Sequence, residues 1–214
     1  MNVKKFFSVA VLSALAICAS AQLTNDNSEW ARFGLAFDAQ KIKVDAGGTT
    51  VDGVKTKGVA VEFLKGISLT NNIPLFLDLG GRLGWTISKE DVTGGSRRYN
   101  FLNVAVPVNA AYKLSFANSP NVKIVPFFGP NFKFNILART TWDPDRGGKV
   151  KTNILDDANG GKVFQFGLNL GCGFFLHKFY VGYTFQPDLS PLSKVDGAKT
   201  RTISNIVSLS INLQ

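Results

Sequence analysis

The chain is poor in the residues that build disulfides and metal centres. It contains two cysteines and a single histidine among 214 residues. Cys18 lies in a segment that we predict to be removed on export, so only Cys172 remains and no intrachain disulfide can form. A metal centre built from cysteine and histidine is excluded by the same count. We expect no metal and no cofactor.

Long apolar runs are also missing beyond the N-terminus. No later segment approaches the roughly 18 consecutive apolar residues that a membrane-spanning helix requires. If the mature chain crosses a bilayer, it must therefore cross it as strands.

The N-terminus has the order of a cleavable export signal. Two lysines precede an apolar run that ends at Cys18, and three small residues follow it. We predict cleavage between Ala21 and Gln22. This prediction gives a signal peptide over residues 1–21 and one domain over residues 22–214.

The chain is basic. Its formal net charge is +9, and removal of Lys4 and Lys5 with the signal lowers it to +7. An exported chain rarely meets nucleic acid, so we expect no nucleic-acid partner. An anionic lipid surface or an acidic glycan is the better counterpart. The plainer alternative is that basic loops simply favour solubility.

Apolar and polar residues alternate along the chain, most regularly between residues 163 and 176. The even positions from Phe164 to Leu176 are apolar, whereas Gln165, Asn169 and three glycines occupy the odd positions up to 173. Side chains two apart share one face of a strand. A polar face that met bulk water would usually carry charges. We therefore predict that this face lines a crowded interior and that the apolar face meets lipid.

The same alternation recurs and predicts eight strands. They lie near Trp30–Gln40, Gly58–Leu69, Leu75–Ser88, Tyr99–Phe116, Val122–Leu137, Val163–Leu176, Phe179–Gln186 and Arg201–Leu213. Short and long connections alternate between them. The long ones are Lys41–Lys57, Lys89–Arg98, Ala138–Gly161 and Pro187–Thr200.

An even number of antiparallel strands, with short turns at one rim and long loops at the other, is typical of outer-membrane barrels. We predict an all-β fold: an eight-stranded antiparallel transmembrane up-and-down β-barrel, preceded by the signal peptide. The four long loops would face the outside. Aromatic residues at the strand ends are predicted to form interfacial belts. They are Trp30, Trp85, Tyr99, Tyr112, Trp142 and Tyr180.

The interior of the predicted barrel carries charged, amide and hydroxyl side chains. They are Arg32, Asp38, Glu62, Asp78, Arg82, Asn103, Asn109, Lys113, Lys123, Asn131, Lys133, Asn135, Gln165, Asn169 and Thr184. These residues form either the selectivity lining of a small conduit or a plug of ion pairs and hydrogen bonds. Eight strands leave an interior only wide enough for side chains, and buried charges need partners. We therefore prefer the plug.

Three prolines lie inside predicted strands. Pro107, Pro126 and Pro130 each remove a hydrogen-bond donor from the sheet. We expect local bulges at these positions or a shorter paired region.

Three segments resemble a known family. Asn103–Lys113 reads NVAVPVNAAYK, Val125–Phe134 reads VPFFGPNFKF, and Phe164–Phe185 reads FQFGLNLGCGFFLHKFYVGYTF. They are similar to strands of the PorT-like group of outer-membrane β-barrel proteins of Bacteroidota. The resemblance implies an eight-stranded barrel in the outer membrane and, for most members, no known activity. One departure is the C-terminus, Leu213-Gln214, because such barrels usually end in an aromatic residue that the barrel-assembly machinery reads.

Catalysis and metal binding have little support in the sequence. His177 lies in a predicted two-residue turn with no serine near it in sequence, which does not favour a serine–histidine–acid hydrolase. The acids of the third long loop lack the later glutamate of an EF-hand calcium loop. These acids are Asp143, Asp145, Asp156 and Asp157. We predict no catalytic residue and no metal site.

Three functions stay open at the level of sequence. The leading hypothesis is a non-enzymatic integral outer-membrane protein with a structural or surface-interaction role through its four long loops. It would contact outer-membrane lipid, the barrel-assembly machinery and an extracellular or envelope partner. The second hypothesis is a narrow porin-like conduit or carrier for small solutes or lipophiles. The third is a soluble periplasmic barrel of lipocalin shape, which would bury the apolar face instead.

Overall fold

The computed structural model of the chain describes residues 23–156, 158, 160–195 and 198–214. The predicted signal peptide, with Ala21 and Gln22, lies outside the described residues. Within the described part of the chain, no helix is long and apolar enough to cross a membrane.

The described residues form β-strands joined by turns. The strands are β1 (Leu23–Thr24), β2 (Trp30–Ala46), β3 (Thr49–Ser68), β4 (Leu75–Val92), β5 (Gly95–Tyr112), β6 (Leu114–Phe116), β7 (Ser119–Pro144), β8 (Val150–Asn153), β9 (Phe164–Leu176), β10 (Phe179–Pro187), β11 (Ser193–Val195) and β12 (Ala198–Asn212).

Eight of these strands form a ring. In the order β2, β3, β4, β5, β7, β9, β10 and β12, each strand pairs with the next, and β12 pairs again with β2. All of these pairs are antiparallel. The four short strands attach to this ring, since β8 pairs with β7, β11 with β12, and β1 with β6 beside β7. The prediction of an all-β antiparallel architecture is confirmed.

Burial alternates with the sequence pattern along each ring strand. On β9, Gln165, Gly167 and Asn169 are buried, the residues between them are partly exposed, and Phe164 and Leu170 on either side are exposed. The apolar face of the ring is therefore its outer face, and the polar face is its inner one. Alternation fixes this result, because a slip of one residue would turn every side chain to the other face.

The first two connections predicted as long loops are mostly paired strand. β2 and β3 stay paired as far as Ala46 and Thr49, and β4 and β5 as far as Val92 and Gly95. Two residues suffice for the first turn, since Gly47 and Gly48 both have the positive φ that a tight hairpin requires. The prediction of long loops at Lys41–Lys57 and Lys89–Arg98 is wrong because backbone pairing continues up to the glycine turns.

The other two long connections fold over the same end of the ring. Leu192 is buried in an apolar cluster with Phe101 and Ala138 of the ring, and Ile154 and Leu155 pack against that cluster. Backbone hydrogen bonds join the two connections, one of them from Lys162 N to the carbonyl of Leu192 at 2.8 Å. These connections cover the opening instead of extending freely from it.

The prolines interrupt two ladders and leave a third whole. Pairing of β7 with β9 runs unbroken past Pro126 and Pro130. Pairing of β5 with β7 has a gap after Pro107, which faces Asn131, and resumes where Ala110 faces Phe128. Pairing of β4 with β5 has a gap at Pro107 as well, between the Leu79–Val108 and Arg82–Ala105 pairs. The one register shift between β5 and β7 lies at Leu102/Asn103, away from these prolines. The missing donors are therefore accommodated by gaps in the pairing on both sides of β5, without a local bulge at the prolines.

Candidate functional site in the ring interior

The structure buries most of the polar side chains that the sequence pattern places inside. Those with little exposure are Arg32, Asp38, Glu62, Asp78, Arg82, Asn103, Asn109, Lys113, Asn131, Lys133, Asn135, Gln165, Asn169 and Thr184. Lys123 is half-buried, with 27% of its side chain exposed. They lie on seven of the eight ring strands, with Lys113 in the break between β5 and β6.

Glu62 is the centre of a buried charge network. Its carboxylate accepts hydrogen bonds from Arg82 Nη2 at 3.0 Å and from Arg32 Nη1 at 3.4 Å. Ser208 and Ser210 of β12 each donate a hydroxyl to it at 3.1 Å. A buried carboxylate that accepts hydrogen bonds from four side chains is compensated for the hydration it has lost.

Arg32 joins this network to a second acid and to an aromatic ring. Its Nη2 lies 3.0 Å from Asp78 Oδ2, and its guanidinium lies over the Tyr180 ring, 4.0 Å from the centroid. Trp30 Nε1 donates to the other oxygen of Asp78 at 3.1 Å. Charges of both signs thus meet across three neighbouring strands, β2, β3 and β4.

An aromatic cluster fills the interior next to this network. It consists of Trp30, Phe76, Ala111, Val125, Phe127, Phe175 and Tyr180, all buried. The prediction that Trp30 and Tyr180 belong to interfacial belts is wrong, because both side chains point inward and are 3% exposed. The expectation of a purely polar interior does not include these aromatic residues. In the alternating pattern, however, Trp30 and Tyr180 occupy the same positions as the inward-facing polar residues of their strands.

A second ion pair lies toward the covered end. Lys133 forms a salt bridge with Asp188, and both side chains are buried. Lys133 Nζ also donates to Thr202 Oγ1 at 2.9 Å. The sequence pattern places Asp188 in the fourth long connection, so the alternation alone does not identify it as the partner of Lys133.

Amide side chains occupy much of the remaining space. Asn169 donates to Asn109 at 3.1 Å, and Asn135 donates to Gln165 at 2.9 Å. Asn131 is fully buried, and neither of its amide atoms has a hydrogen-bond partner among the described residues. The interior space beside Arg32 and Arg82 measures about 10 Å³, which is no more than one water molecule occupies.

The N-terminal strap, residues 23–29, crosses the other end of the ring. It starts at β1, which pairs with β6, and the amide of Asn27 donates to the carbonyl of Asn71 in the β3–β4 turn at 2.5 Å. Asp26 is its anchor, with Oδ1 2.9 Å from Lys113 Nζ and Oδ2 2.6 Å from Lys123 Nζ.

The surroundings of Asp26 keep it ionised. Burial raises the pKa of its carboxyl. Hydrogen bonds from Lys123, Ser28 and Lys113 outweigh burial and hold this pKa well below its usual range. The pairing explains the position of Lys123, which lies at the rim beside the strap and not in the deep interior.

A cavity of about 500 Å³ opens at the strap end. Lys123, His177 and Lys178 lie on its wall, as do Trp30 and Phe175 of the aromatic cluster. His177 has a positive φ in the β9–β10 turn. Among the described residues, no three histidine, cysteine or acidic side chains lie close enough together to hold a metal ion. Asp157, one of the acids of the third long connection, is outside those residues.

The sequence profile of the family described as Outer membrane protein beta-barrel domain matches residues 7–204. The chain belongs to this family, and it is an outer-membrane β-barrel protein.

Two solved structures are similar to the chain at low identity. Ail, the attachment invasion locus protein of Yersinia pestis, is 13% identical, with a TM-score of 0.41 over 85% of this chain and 99% of that one. Neisserial surface protein A is 15% identical, with a TM-score of 0.44 over 84% of this chain and 96% of that one. No curated protein matches the chain.

Proposed function

We propose that the ring is a closed transmembrane barrel with a permanently filled interior, and that the protein acts through its outward surfaces in a structural or surface-interaction role. The outer face supports the first part of this proposal. Large apolar and aromatic side chains are exposed on all eight ring strands, among them Phe33, Phe63, Leu83, Tyr112, Phe128, Leu170, Val181 and Leu209. Such a surface is far larger than the apolar patches of soluble proteins.

The filled interior carries the second part. From one end to the other, the interior holds the N-terminal strap, the aromatic cluster, the Glu62 network, the Lys133–Asp188 pair and the apolar cluster around Leu192. Most of these groups pair with or pack against one another, and the space left beside Arg32 and Arg82 holds about one water. The arrangement favours a plug over a porin-like conduit. It also opposes a soluble lipocalin-like barrel, which needs an apolar interior.

The outward surfaces are then the parts available to other molecules. One is the apolar belt, the band of exposed apolar side chains around the outer face, which would lie in lipid. The others are the two long hairpins, β2–β3 and β4–β5, which extend past this belt. The proposed role is non-enzymatic, because the main interior charges are held in ion pairs with one another. Placement in the PorT-like group rests on the three segments quoted above, and export rests on the predicted signal peptide.

Three measurements on the mature protein test the proposal. It should stay with membranes during an alkaline carbonate wash, and its unheated form should migrate differently from its boiled form on a detergent gel. In planar bilayers it should give no reproducible open channel. Release by carbonate would overturn the transmembrane assignment. A stable conductance would overturn the plug and favour the conduit.

A further inference from the structure

Like charges face each other on the outside of the ring at three places. Lys41 of β2 lies directly opposite Lys55 of β3, and Lys43 lies opposite Arg201 of β12. Lys89 of β4 is opposite Arg98 of β5. Facing like charges destabilise a sheet unless something else compensates them. Three such pairs lie on five consecutive strands of the ring, and each has only one acid in an ion pair with it, so each keeps an excess positive charge that an external anion could balance.

These side chains point away from the interior. Their neighbours in sequence, Ile42, Thr56 and Thr202, are buried inside the ring, so alternation turns the basic residues outward. Lys57, two residues from Lys55 on the same face, is exposed as well. We name this group the basic band. It consists of Lys41, Lys43, Lys55, Lys57, Lys89, Arg98 and Arg201.

The basic band borders the apolar belt. Lys57 is two residues from Val59, and Lys89 is two residues from Ile87; both apolar side chains are about half-exposed. Two residues of strand span about 7 Å. The band therefore lies where the apolar zone gives way to the headgroup zone of a membrane, on the side of the long hairpins.

Nearby acids neutralise only part of this charge. Asp52 pairs with Lys41, Asp45 lies 3.6 Å from Arg201, and Asp91 lies 3.4 Å from Lys89. Each of these acids is at least partly exposed. Three acids against seven bases leave a clear excess of positive charge.

We propose that the basic band binds the phosphate groups of an anionic glycolipid in the outer leaflet. This inference rests on the proposed function, since it needs the belt to lie in a bilayer. The band faces sideways, along the wall of the barrel, and not upward from the hairpin tips. A lipid phosphate beside the wall reaches it directly, whereas a soluble polymer would have to displace lipid. Lysine and arginine close to an anionic membrane surface contribute substantially to binding.

The test compares two variants that lose the same charge. The band variant carries K41Q, K43Q, K55Q and R201Q. The control variant carries K149Q, K151Q, K162Q and K194Q, four exposed lysines in the third and fourth connections. Each folded protein is placed in phosphatidylcholine nanodiscs with lipid A that carries two phosphates or with its dephosphorylated form. Native mass spectrometry counts the lipid A retained.

We expect the wild type and the control variant to retain phosphorylated lipid A in preference to the dephosphorylated form. The band variant should retain at least about tenfold less of it. Equal loss in both variants would overturn the inference, because net charge alone would then explain binding. Band-dependent binding of inorganic phosphate or a soluble sulfated saccharide that matches lipid A would also overturn it.

The carbonate wash separates this inference from the proposed function. If the wild type leaves the membrane, the proposed function fails. If the wild type stays inserted and the band variant still retains lipid A like wild type, only the glycolipid site fails. The gel shift on heating checks that both variants are folded before binding is measured.

Discussion

The inner and outer surfaces of the ring are built from the same strands and have opposite chemistry. On β12, Val207 is 42% exposed while its neighbour Ser208 is 3% exposed and donates to Glu62. In the proposed transmembrane barrel, the outer surface is stabilised by contact with hydrocarbon. The inner one depends on specific partners, because a polar group buried without a partner is costly. The two surfaces should therefore respond differently to substitution.

The largest effect is expected inside, at Glu62. Glu62→Gln removes the negative charge that pairs with Arg82. It also removes one of the two acids that pair with Arg32, the other being Asp78. Breaking one partner of a buried charge network costs about 3–5 kcal/mol. Unfolding by urea in lipid vesicles should show a loss of this size.

Glu29→Gln is the matched control for this substitution. Glu29 lies at the rim, with 39% of its side chain exposed, 3.7 Å from Lys65. An exposed pair of this kind contributes about 1 kcal/mol or less. Similar losses in the two variants would show that the interior network does not stabilise the fold.

The next effect concerns the outer surface and depends on depth. Val207 lies midway along the outward row of β12, between Arg201 and Leu213. Val207→Arg should cost about 2–4 kcal/mol, and Leu213→Arg at the strand end about 1 kcal/mol or less. The same unfolding measurement checks both. Equal costs would mean that the outer face does not cross a hydrocarbon layer.

A smaller effect is expected where a polar group sits on the outer face. Asn205 is outward, and its Oδ1 accepts a hydrogen bond from the Tyr183 hydroxyl at 2.6 Å. Tyr183→Phe should cost about 1 kcal/mol, because it leaves the Asn205 oxygen without this donor in an apolar surrounding. Adding Asn205→Leu should recover most of that loss. If the double variant is no better than Tyr183→Phe, the hydrogen bond contributes little.

The smallest global effect is expected at the N-terminal strap. Asp26→Asn weakens its contacts with Lys113 and Lys123, and hydrogen exchange of residues 23–29 should become faster while the ring strands keep their protection. If the ring strands lost protection equally, the strap would be part of the global fold.

The pH dependence of strap protection provides a separate check on Asp26. The folded-state pKa of Asp26 is depressed, so its contribution is present above the unfolded pKa and is lost as the pH falls through the folded one. Protection should hold from about pH 8 to pH 5 and decline below about pH 4. Loss of protection between pH 8 and pH 5 would contradict this assignment.

The sequence is sufficient to predict which way a side chain faces, because this depends only on the position of the residue in the alternating pattern. The inward position of Asn169 and the outward position of Leu170 followed from alternation alone. The partners did not follow, since Lys133 and Asp188 are 55 residues apart and meet across the ring. The alternation also underestimates the length of β2 and β3, because their backbone pairing continues through charged residues that are typical of a loop.

The sequence by itself determined the class of fold and which side chains share a surface, because a period of two residues is a local property of an extended chain. The tertiary structure decided which groups meet. It brought Glu62 to Arg82, placed Arg32 over the Tyr180 ring, and set Lys41 against Lys55. Such contacts depend on the register between strands and on how the ring returns on itself. Neither property is contained in the alternation of a single strand.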